Sequence, residues 1–301
     1  MNILITGGTG FLGTALTKNL MAQGAKVTLF CREPEKAIAR FGSINTITDF
    51  KALKAEQHFQ VVINLAGAPI FDRRWTEQRK QLLRASRVEL TQRLVAAIEQ
   101  MPVKPELLIT GSAIGYYGDQ GDQILTEQSA VVTDFAQQLC VDWEAAAMAA
   151  EAFGVRVCII RTGLVLANSG GLLARMALPF KWGLGGQLGN GQQWMSWIHL
   201  QDWLAIVQAM IDNLSMQGVY NATAPVPVNN QEFTKILATA LNRPAVCAIP
   251  ACVLKLILGE MSMLVLGSQR VIPQRLLDQG FVFEYSQLAV ALSQALAPVK
   301  A

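Results

Sequence analysis

Histidine is scarce in this sequence, and its cysteines are not arranged for metal binding or cross-linking. The 301 residues include two histidines, His58 and His199, and five cysteines without a Cys-x-x-Cys pair. A metal site or a Ser-His-Asp triad therefore has almost no ligands or bases available, and we predict no bound metal. The cysteine count is odd and most of these residues have apolar neighbours, which indicates buried free thiols in a reducing compartment.

Long uncharged hydrophobic runs are also missing. Lys255 interrupts the apolar run over residues 248–258, and no segment reaches the ~18 apolar residues that a membrane-spanning helix needs. Because the chain opens on a strand-like segment rather than a basic and apolar leader, we expect no secretion signal and a cytoplasmic protein. The net charge is only +3 and charged residues make up 16% of the chain, which argues against nucleic acid or a membrane surface as the main partner.

The opening of the chain carries the strongest motif. Residues 1–6 form a short apolar run with β-branched members, Gly7-Gly8-Thr9-Gly10-Phe11-Leu12-Gly13 follows, and residues 14–23 read as a helix. Glycines let a backbone come close to phosphates, and the free N–H groups at the start of a helix point at them with a favourable dipole. A strand, a glycine turn and a helix in this order predict a dinucleotide site.

A second strand over residues 25–31 completes a βαβ unit with parallel pairing. In dinucleotide folds, the residue at the tip of this strand binds the adenosine ribose. An acidic residue accepts a hydrogen bond from the 2′-hydroxyl, whereas an arginine binds a 2′-phosphate. Arg32 occupies the tip, with Glu33 beside it. Arg32 is therefore either a reader of NADP(H) or an ordinary solvated loop charge.

Strands and helices alternate along much of the remaining chain, which predicts an α/β fold with a doubly wound parallel sheet. The predicted strands are 59–65, 107–110, 155–160 and 219–222, and the predicted helices include 76–100, 134–153, a helix from Asp202, and 229–241. Glycines between Gly170 and Gly191 predict a mobile loop that orders on binding, or a tight hairpin. The C-terminal part should consist of short helices with one strand over 281–283.

Small and hydroxyl-bearing residues follow two of these strands. The small residues of 64–68 would let a cofactor lie over the sheet edge, or would form a simple helix-packing turn. Ser112, Tyr116 and Tyr117 come just past the strand 107–110, where they are suited to donate to a carbonyl or hydroxyl under reaction. The alternative for these three residues is a hydroxyl-capped turn with two packing aromatics.

Lys80, Arg84 and Arg87 share one face of the predicted helix 76–100. They form either a solvated face or a patch that steers anions towards the mouth of the site. His199 lies in an apolar frame, where a hydrogen-bonded structural residue is more common than a catalyst.

Together these segments resemble the extended short-chain dehydrogenases/reductases, and within them the atypical branch called the epimerase family. The motifs that carry the resemblance are Ile5 to Gly13, Asn64-Leu65-Ala66-Gly67, Trp75-Thr76 with Ser86-Arg87, Ser112 to Gly118, Trp143-Glu144, Ser196-Trp197-Ile198-His199, Tyr220 to Pro225, and Leu258-Gly259-Glu260-Met261. The resemblance implies a Rossmann domain over 1–166, completed by 194–223, and a smaller, mostly helical substrate lobe formed by 167–193 and 224–301. It also implies that NADP(H) contacts Gly7, Thr9, Gly10, Phe11, Leu12, Arg32, Leu65, Ala66, Gly67, Thr162, Gly163 and Leu164, the last three passing beneath the nicotinamide.

The chain departs from this family in its chemistry. Relatives use a tyrosine as acid/base with a lysine four residues later, whose charge lowers the pKa of the phenol. None of the four tyrosines in this sequence has a lysine at that spacing. When Glu144 is aligned with the glutamate that follows the motif in relatives, Ala136 and Cys140 take the two positions, and neither transfers a proton in the usual way.

Two hypotheses about function follow. The first is an NADP(H)-dependent oxidoreductase or epimerase acting on an unknown polar small molecule, with Ser112 and Tyr116 or Tyr117 supplying polarising hydrogen bonds. The second is a catalytically inactive NADPH-binding protein that uses its lobe as an interaction surface, for example in regulating cell division, a role that the resemblance loosely implies. The helices 76–100 and 134–153 are similar to those through which relatives form homodimers, and their faces do not decide between a monomer and a homodimer.

Overall fold

The computed structural model describes residues 1–53, 58–167 and 170–297. The strands are β1 (Asn2–Thr6), β2 (Lys26–Phe30), β3 (Asn45–Ile47), β4 (Val61–Asn64), β5 (Leu107–Ala113), β6 (Ile124–Leu125), β7 (Arg156–Thr162), β8 (Leu164–Leu166), β9 (Trp194–Met195), β10 (Trp197–His199), β11 (Gly218–Ala222), β12 (Val228–Asn229) and β13 (Arg270–Val271). The α-helices are α1 (Phe11–Ala22), α2 (Pro34–Phe41), α3 (Glu77–Arg84), α4 (Leu90–Gln100), α5 (Phe135–Met148), α6 (Gly171–Lys181), α7 (Leu200–Asp212), α8 (Asn230–Leu241), α9 (Ala251–Leu258), α10 (Met263–Leu266), α11 (Gln274–Asp278) and α12 (Leu288–Leu296).

The centre of the molecule is a seven-stranded parallel sheet in the order β11-β7-β5-β4-β1-β2-β3. On one face, Leu16 of α1 and Trp203 of α7 belong to a buried cluster with the strands. On the other face, Leu94 of α4 and Ala147 of α5 belong to a second cluster. The doubly wound α/β fold expected from the alternation of strands and helices is therefore confirmed.

The winding direction of the chain reverses between β1 and β4, which lie side by side in the sheet. Thr6 and Asn64 are register partners at the carboxyl ends of these strands, and Thr6 Oγ1 donates to Asn64 Oδ1 at 2.6 Å. Open α/β sheets bind ligands in the crevice outside the carboxyl ends at such a reversal. The loops that follow Thr6 and Asn64 therefore define where a ligand site is expected.

A third buried cluster forms the core of the C-terminal lobe. Leu173 and Phe180 of α6, Phe233 of α8 and Leu292 of α12 pack there against Trp197 of β10. Strand β10 pairs in parallel with β8, whereas β11 completes the central sheet beside β7. Thus the segment 194–223, which is described throughout, contributes one strand to the central sheet and others to two-stranded sheets.

Two segments differ from the predictions made from sequence. Residues 171–181 form helix α6 rather than a mobile loop or hairpin. Gly170 and Gly171, with φ of 128° and 70°, mark the start of this helix, and the leucine, alanine, arginine and methionine residues that follow are good helix formers. The predicted strand over 281–283 is also wrong: the rings of Phe281 and Phe283 pack edge to face, 4.9 Å apart, and the local strand is β13, which pairs with β6.

The predicted helix 76–100 begins as expected, because Thr76 Oγ1 accepts a hydrogen bond from the backbone N–H of Arg79 at 3.2 Å. It is interrupted at Ala85–Glu89 by a π-helical segment between α3 and α4. Single π-turns inside α-helices occur frequently at functional sites. Arg87 lies in the middle of this segment.

None of the helices in the described ranges combines the length and apolarity that a membrane crossing requires. The five cysteines are free: Cys31, Cys140 and Cys158 are buried and Cys252 is exposed. Among the described residues, no cluster of three or more histidine, cysteine or carboxylate side chains could hold a metal ion.

Candidate functional site

The turn between β1 and α1 presents backbone rather than side chains to the crevice. Gly7 has a φ of +70°, and a Cβ there would lie 2.6 Å from the carbonyl carbon of Leu65. A Cβ on Gly13 would lie 2.1 Å from the carbonyl oxygen of Gly7. Helix α1 begins after Gly10 with no side-chain cap and no acidic residue in its first turn. Its first N–H groups can therefore bind an anion, which is what a diphosphate requires.

The structure brings this turn together with the segment after β4. The backbone N–H of Leu65 donates to the carbonyl oxygen of Thr6 at 3.1 Å, so Leu65, Ala66 and Gly67 leave the sheet directly beside the glycine turn. Asn64 fixes the end of β4, because its amide donates to the hydroxyls of Thr91 and Thr110 at 2.7 and 3.2 Å. These bonds hold the two segments predicted to contact the cofactor in one fixed arrangement.

Two arginines lie near the end of β2. Arg32 is exposed just past the strand. Arg40 of α2, which the sequence did not single out, donates from Nη1 to the carbonyl oxygen of Thr9 at 2.6 Å and to Thr14 Oγ1 at 2.9 Å. A second positive charge is therefore held beside the glycine turn. Its position depends on how α2 folds back against the turn, which residue spacing does not reveal.

A cavity of about 390 Å³ opens between the start of α1, the end of β5 and helix α5. Its wall is mainly apolar, with polar groups from Arg87, Ser112, Cys140, Thr162 and Gln269. Of the residues predicted as site residues, Phe11, Leu12, Ser112, Thr162, Gly163 and Leu164 line it. An apolar cavity with a few convergent polar groups is the usual form of a small-molecule site.

The loop of Thr162, Gly163 and Leu164 is held firmly by the segment 194–223. Thr162 Oγ1 accepts a hydrogen bond from Trp203 Nε1 at 3.1 Å, and the backbone N–H of Leu164 donates to the carbonyl oxygen of Ser196 at 2.8 Å. A Cβ on Gly163 would approach the same Ser196 oxygen to 2.5 Å. The loop therefore forms a rigid part of the cavity wall.

Ser112 belongs to a buried charged network next to the cavity. Its hydroxyl donates to Glu144 Oε1 at 2.6 Å. Arg161 binds both oxygens of Glu144, with Nε–Oε1 and Nη2–Oε2 distances of 2.8 Å, and the two side chains are only 3% and 8% exposed. Bidentate charge-assisted bonds in a low-dielectric interior are strong and directional. They fix Ser112 with its hydroxyl hydrogen directed at Glu144, in the wall of the cavity.

Tyr116 and Tyr117 face this network and do not line the cavity. The Tyr117 hydroxyl donates to Asn221 Oδ1 at 2.7 Å and accepts from Arg161 Nη1 at 3.1 Å. Burial raises the pKa of Tyr117 to about 12. The Arg161 guanidinium stacks on the ring of Tyr116, with Cζ 3.2 Å from the ring centre. Catalytic roles for the two tyrosines therefore stay predictions. Of the three residues predicted to be catalytic, Ser112 is the one that lines the cavity.

Ala136 and Cys140, aligned above with the family's tyrosine and lysine, both line the cavity from α5. Burial raises the pKa of the Cys140 thiol to about 11, and its Sγ lies 3.8 Å from the carbonyl oxygen of Ala113. Cys140 is thus a neutral thiol at neutral pH, and it carries neither the charge nor the reach of a lysine.

The three cations of helix 76–100 do not share one environment. Lys80 and Arg84 form ion pairs with carboxylates of the described chain. Arg87 instead lines the cavity, and its Nη2 donates to the carbonyl oxygen of Ala68 at 3.0 Å. The solvated-face interpretation therefore fails for Arg87, which lies in the π-helical segment.

His199 is a hydrogen-bonded structural residue, as expected. Its Nε2 lies 2.6 Å from Gln294 Oε1, and its Nδ1 accepts from the backbone N–H of Gln201 at 3.3 Å. Burial lowers the pKa of the imidazole, which favours its neutral form.

Comparison with known proteins places this geometry in a family. Residues 3–223 match the model of the NAD dependent epimerase/dehydratase family, and residues 249–295 match a domain of unknown function, DUF1731. The epimerase family protein SAR0825 of Staphylococcus aureus is 37% identical over 295 residues, which cover 97% of this chain and 98% of that protein. The epimerase family protein YfhF of Bacillus subtilis is 38% identical over 303 aligned positions, covering 100% and 99% of the two chains.

Solved structures include a similar protein from human cells. The crystal structure of the human epimerase family protein SDR39U1 (isoform 2) with NADPH matches with a TM-score of 0.89 and 34% identity, covering 98% of this chain and 99% of that one. The family model spans most of the chain, and the bacterial relatives match along nearly its whole length. This chain therefore belongs to the NAD-dependent epimerase/dehydratase family, in the branch of epimerase family proteins.

Proposed function

We propose that this protein binds NADPH in the crevice and exchanges a hydride with a small molecule held in the cavity. The observation that carries the proposal is the continuity of the cavity. The same cavity is lined by Phe11 and Leu12 at the start of α1 and by Ala136 and Cys140 of α5. The nucleotide-binding turn and the space for a second ligand therefore share one wall. The NADPH in the structure of human SDR39U1 supports the choice of cofactor.

The residues around the turn fit a nicotinamide nucleotide. The uncapped start of α1 at Gly10 suits the diphosphate. Arg32 at the tip of β2 suits a 2′-phosphate, and Arg40 adds positive charge beside Thr9. When bound, the nucleotide supplies or accepts a hydride at its nicotinamide C4.

Ser112 is the catalytic side chain in this proposal. Its hydroxyl bonds to Glu144, so Ser112 would relay the proton of a substrate hydroxyl to that carboxylate as the hydride passes to the nicotinamide, and would return the proton when NADPH reduces the substrate. Tyr116 and Tyr117 hold Arg161 against Glu144 and so act as positioning residues. The apolar wall excludes water from the reacting groups.

Deuterium transfer tests this function. The protein is incubated with NADPH deuterated at C4, in each stereochemical form, and with a metabolite extract, and products carrying deuterium are identified by mass spectrometry. Ser112→Ala is expected to slow the transfer about ten- to a hundredfold, because losing one hydrogen bond in the site costs ~1.4–2.7 kcal/mol. The matched control is Ser215→Ala, since Ser215 is an exposed loop residue that bonds to Asn213. Transfer at the wild-type rate by Ser112→Ala would contradict the assigned role.

A second candidate function is NADPH binding without catalysis, in a regulatory or interaction protein. It is favoured by Ala136 and Cys140, because an alanine and a neutral thiol stand where relatives have their acid/base pair. Saturable NADPH binding with no deuterium transfer to any metabolite would support this function and rule out the first.

Arg32→Ala is expected to weaken NADPH binding about ten- to a hundredfold and to leave NADH binding unchanged. The reason is the loss of one charge-assisted contact to the 2′-phosphate, worth ~1.5–3 kcal/mol. Fluorescence titration of both nucleotides measures the effect.

Lys36→Ala is the control for Arg32. It removes the same charge from the adjacent helix, but Lys36 pairs with Glu33, so the ratio of NADPH to NADH affinity should stay that of the wild type. If Arg32→Ala lost equal affinity for NADPH and NADH, Arg32 would not be the residue that binds the 2′-phosphate.

A further inference from the structure

Arg87 is held at the cavity wall by groups that carry no negative charge. Its Nη2 donates to the carbonyl oxygen of Ala68 at 3.0 Å, and its Nη1 lies 3.4 Å from that of Leu83. The guanidinium also stacks against Trp143, with Cζ 5.4 Å from the ring centre. A Cβ on Gly67 would lie 2.9 Å from the same Cζ, so the glycine leaves the room that Arg87 occupies. These contacts orient the guanidinium and leave other N–H groups for a ligand.

The charge of Arg87 has no carboxylate partner in the described part of the chain. Lys80 and Arg84, on the same helix, each have one. Burial, with a smaller contribution from the charge of Arg79, lowers the pKa of Arg87 to about 10. The group nevertheless remains protonated at neutral pH. A cation on a mainly apolar wall carries a desolvation cost that an anion in the cavity would offset.

Other arginines surround the same edge of the cavity. Arg79 donates to the carbonyl oxygen of Pro69. Arg175 donates to that of Phe71 at 2.9 Å, and it also pairs with Asp72. Arg79 adds positive charge near Arg87, whereas Asp72 offsets the charge of Arg175. Positive charge at a low-dielectric cleft raises the local concentration of anions.

We propose that the small molecule held in this cavity is a carboxylate with an apolar body, and that Arg87 binds its carboxylate group. The single guanidinium matches a monoanion in charge, and its planar fork matches the two oxygens in geometry. The apolar wall accommodates the remainder of the molecule. This inference rests on the proposed function only in taking the cavity as the substrate site. It assigns Arg87 as the residue that determines substrate class.

The test compares hexanoate with hexanamide, which have similar shapes and differ in charge. Each is titrated by calorimetry at pH 7 into the full-length protein, with saturating NADPH and again without it. The wild type is expected to bind hexanoate at least tenfold more tightly than hexanamide, because only hexanoate can form the charge-assisted bidentate contact with Arg87. Arg87→Gln should abolish this preference, and Arg87→Lys, which keeps the charge without the planar fork, should retain part of it.

Arg84→Gln is the matched control, because it also removes a cation from this helix. The partner of Arg84 is Asp142, which does not line the cavity. It should bind both probes as the wild type does. Equal affinities of the wild type for hexanoate and hexanamide, or no binding of either, would overturn the proposal. A tenfold loss of NADPH affinity in Arg87→Gln with an unchanged preference for hexanoate would also overturn it, since Arg87 would then be a cofactor contact.

The two proposals fail separately. If the wild type does not bind NADPH, the proposed function is wrong, but a preference for hexanoate without the nucleotide would still support the role of Arg87. If Arg87→Gln does not fold, the wild-type comparison and Arg87→Lys decide the question, because both keep a cation at this position.

Discussion

Replacing Gly13 by alanine is expected to abolish NADPH binding, with a loss of affinity of more than about a hundredfold, or ~2.7 kcal/mol. A Cβ at this position would lie 2.1 Å from the carbonyl oxygen of Gly7 and 2.7 Å from the Cα of Gly8. Both are backbone atoms, so the turn itself must shift. The same Gly7 oxygen accepts from the backbone N–H of Gly10 at 3.0 Å, and losing this bond would misplace the N–H groups intended for the diphosphate.

Nucleotide titration measures this effect, and urea unfolding measures its cost to the fold, expected to be about 1–3 kcal/mol for overpacking. Gly10→Ala is the graded comparison within the same turn. Its Cβ would meet the Gly7 oxygen at 3.2 Å, which a small adjustment can relieve, so its effects should be smaller. If Gly13→Ala bound NADPH as tightly as Gly10→Ala does, the close packing of the turn would not be what forms the site.

The largest effect on stability is expected from Arg161→Leu. The substitution leaves Glu144 buried without its bidentate partner, and breaking a buried pair in this way costs ~3–5 kcal/mol. The free energy of unfolding in urea measures the loss. The double variant with Glu144→Leu should lose less than the sum of the two single variants, because no unpaired charge then remains buried.

Arg84→Leu provides the comparison for this pair. Arg84 and Asp142 also form an ion pair, but their side chains are 45% and 25% exposed, so the expected cost is at most ~1 kcal/mol. A cost for Arg161→Leu no greater than that for Arg84→Leu would mean that the buried pair does not stabilise the fold. Ser112 would then lack the rigid support that the proposed function requires.

The phosphate turn and the sheet could be predicted because their signals are local. A strand, a glycine turn and a helix are contiguous in the sequence, and each parallel strand is a short apolar run. The prediction of a mobile loop or hairpin is wrong at Gly170 and Gly171, because these glycines mark the start of α6. The predicted strand is wrong at 281–283, where an alternation of phenylalanines serves packing against the core rather than strand pairing.

The site itself was predictable only in part, because its polar groups meet over long sequence separations. The sequence places Ser112 just after a strand, whereas it lies inside β5, and its partner Glu144 is 32 residues away. Arg40 reaches Thr9 across 31 residues. Arg87 lies in a π-helical segment that interrupts the single helix predicted over 76–100. Such features arise from the tertiary fold, which spacing along the chain does not encode.

The start of α6 rests on the ring of Phe11, the first residue of α1. A Cβ on Gly171 would come within 2.9 Å of this ring, and one on Gly170 within 3.3 Å. Two residues without side chains therefore meet a flat aromatic surface. Any larger residue at either position would collide with the ring, so this glycine pair lets the lobe's first helix start directly against the helix that faces the nucleotide.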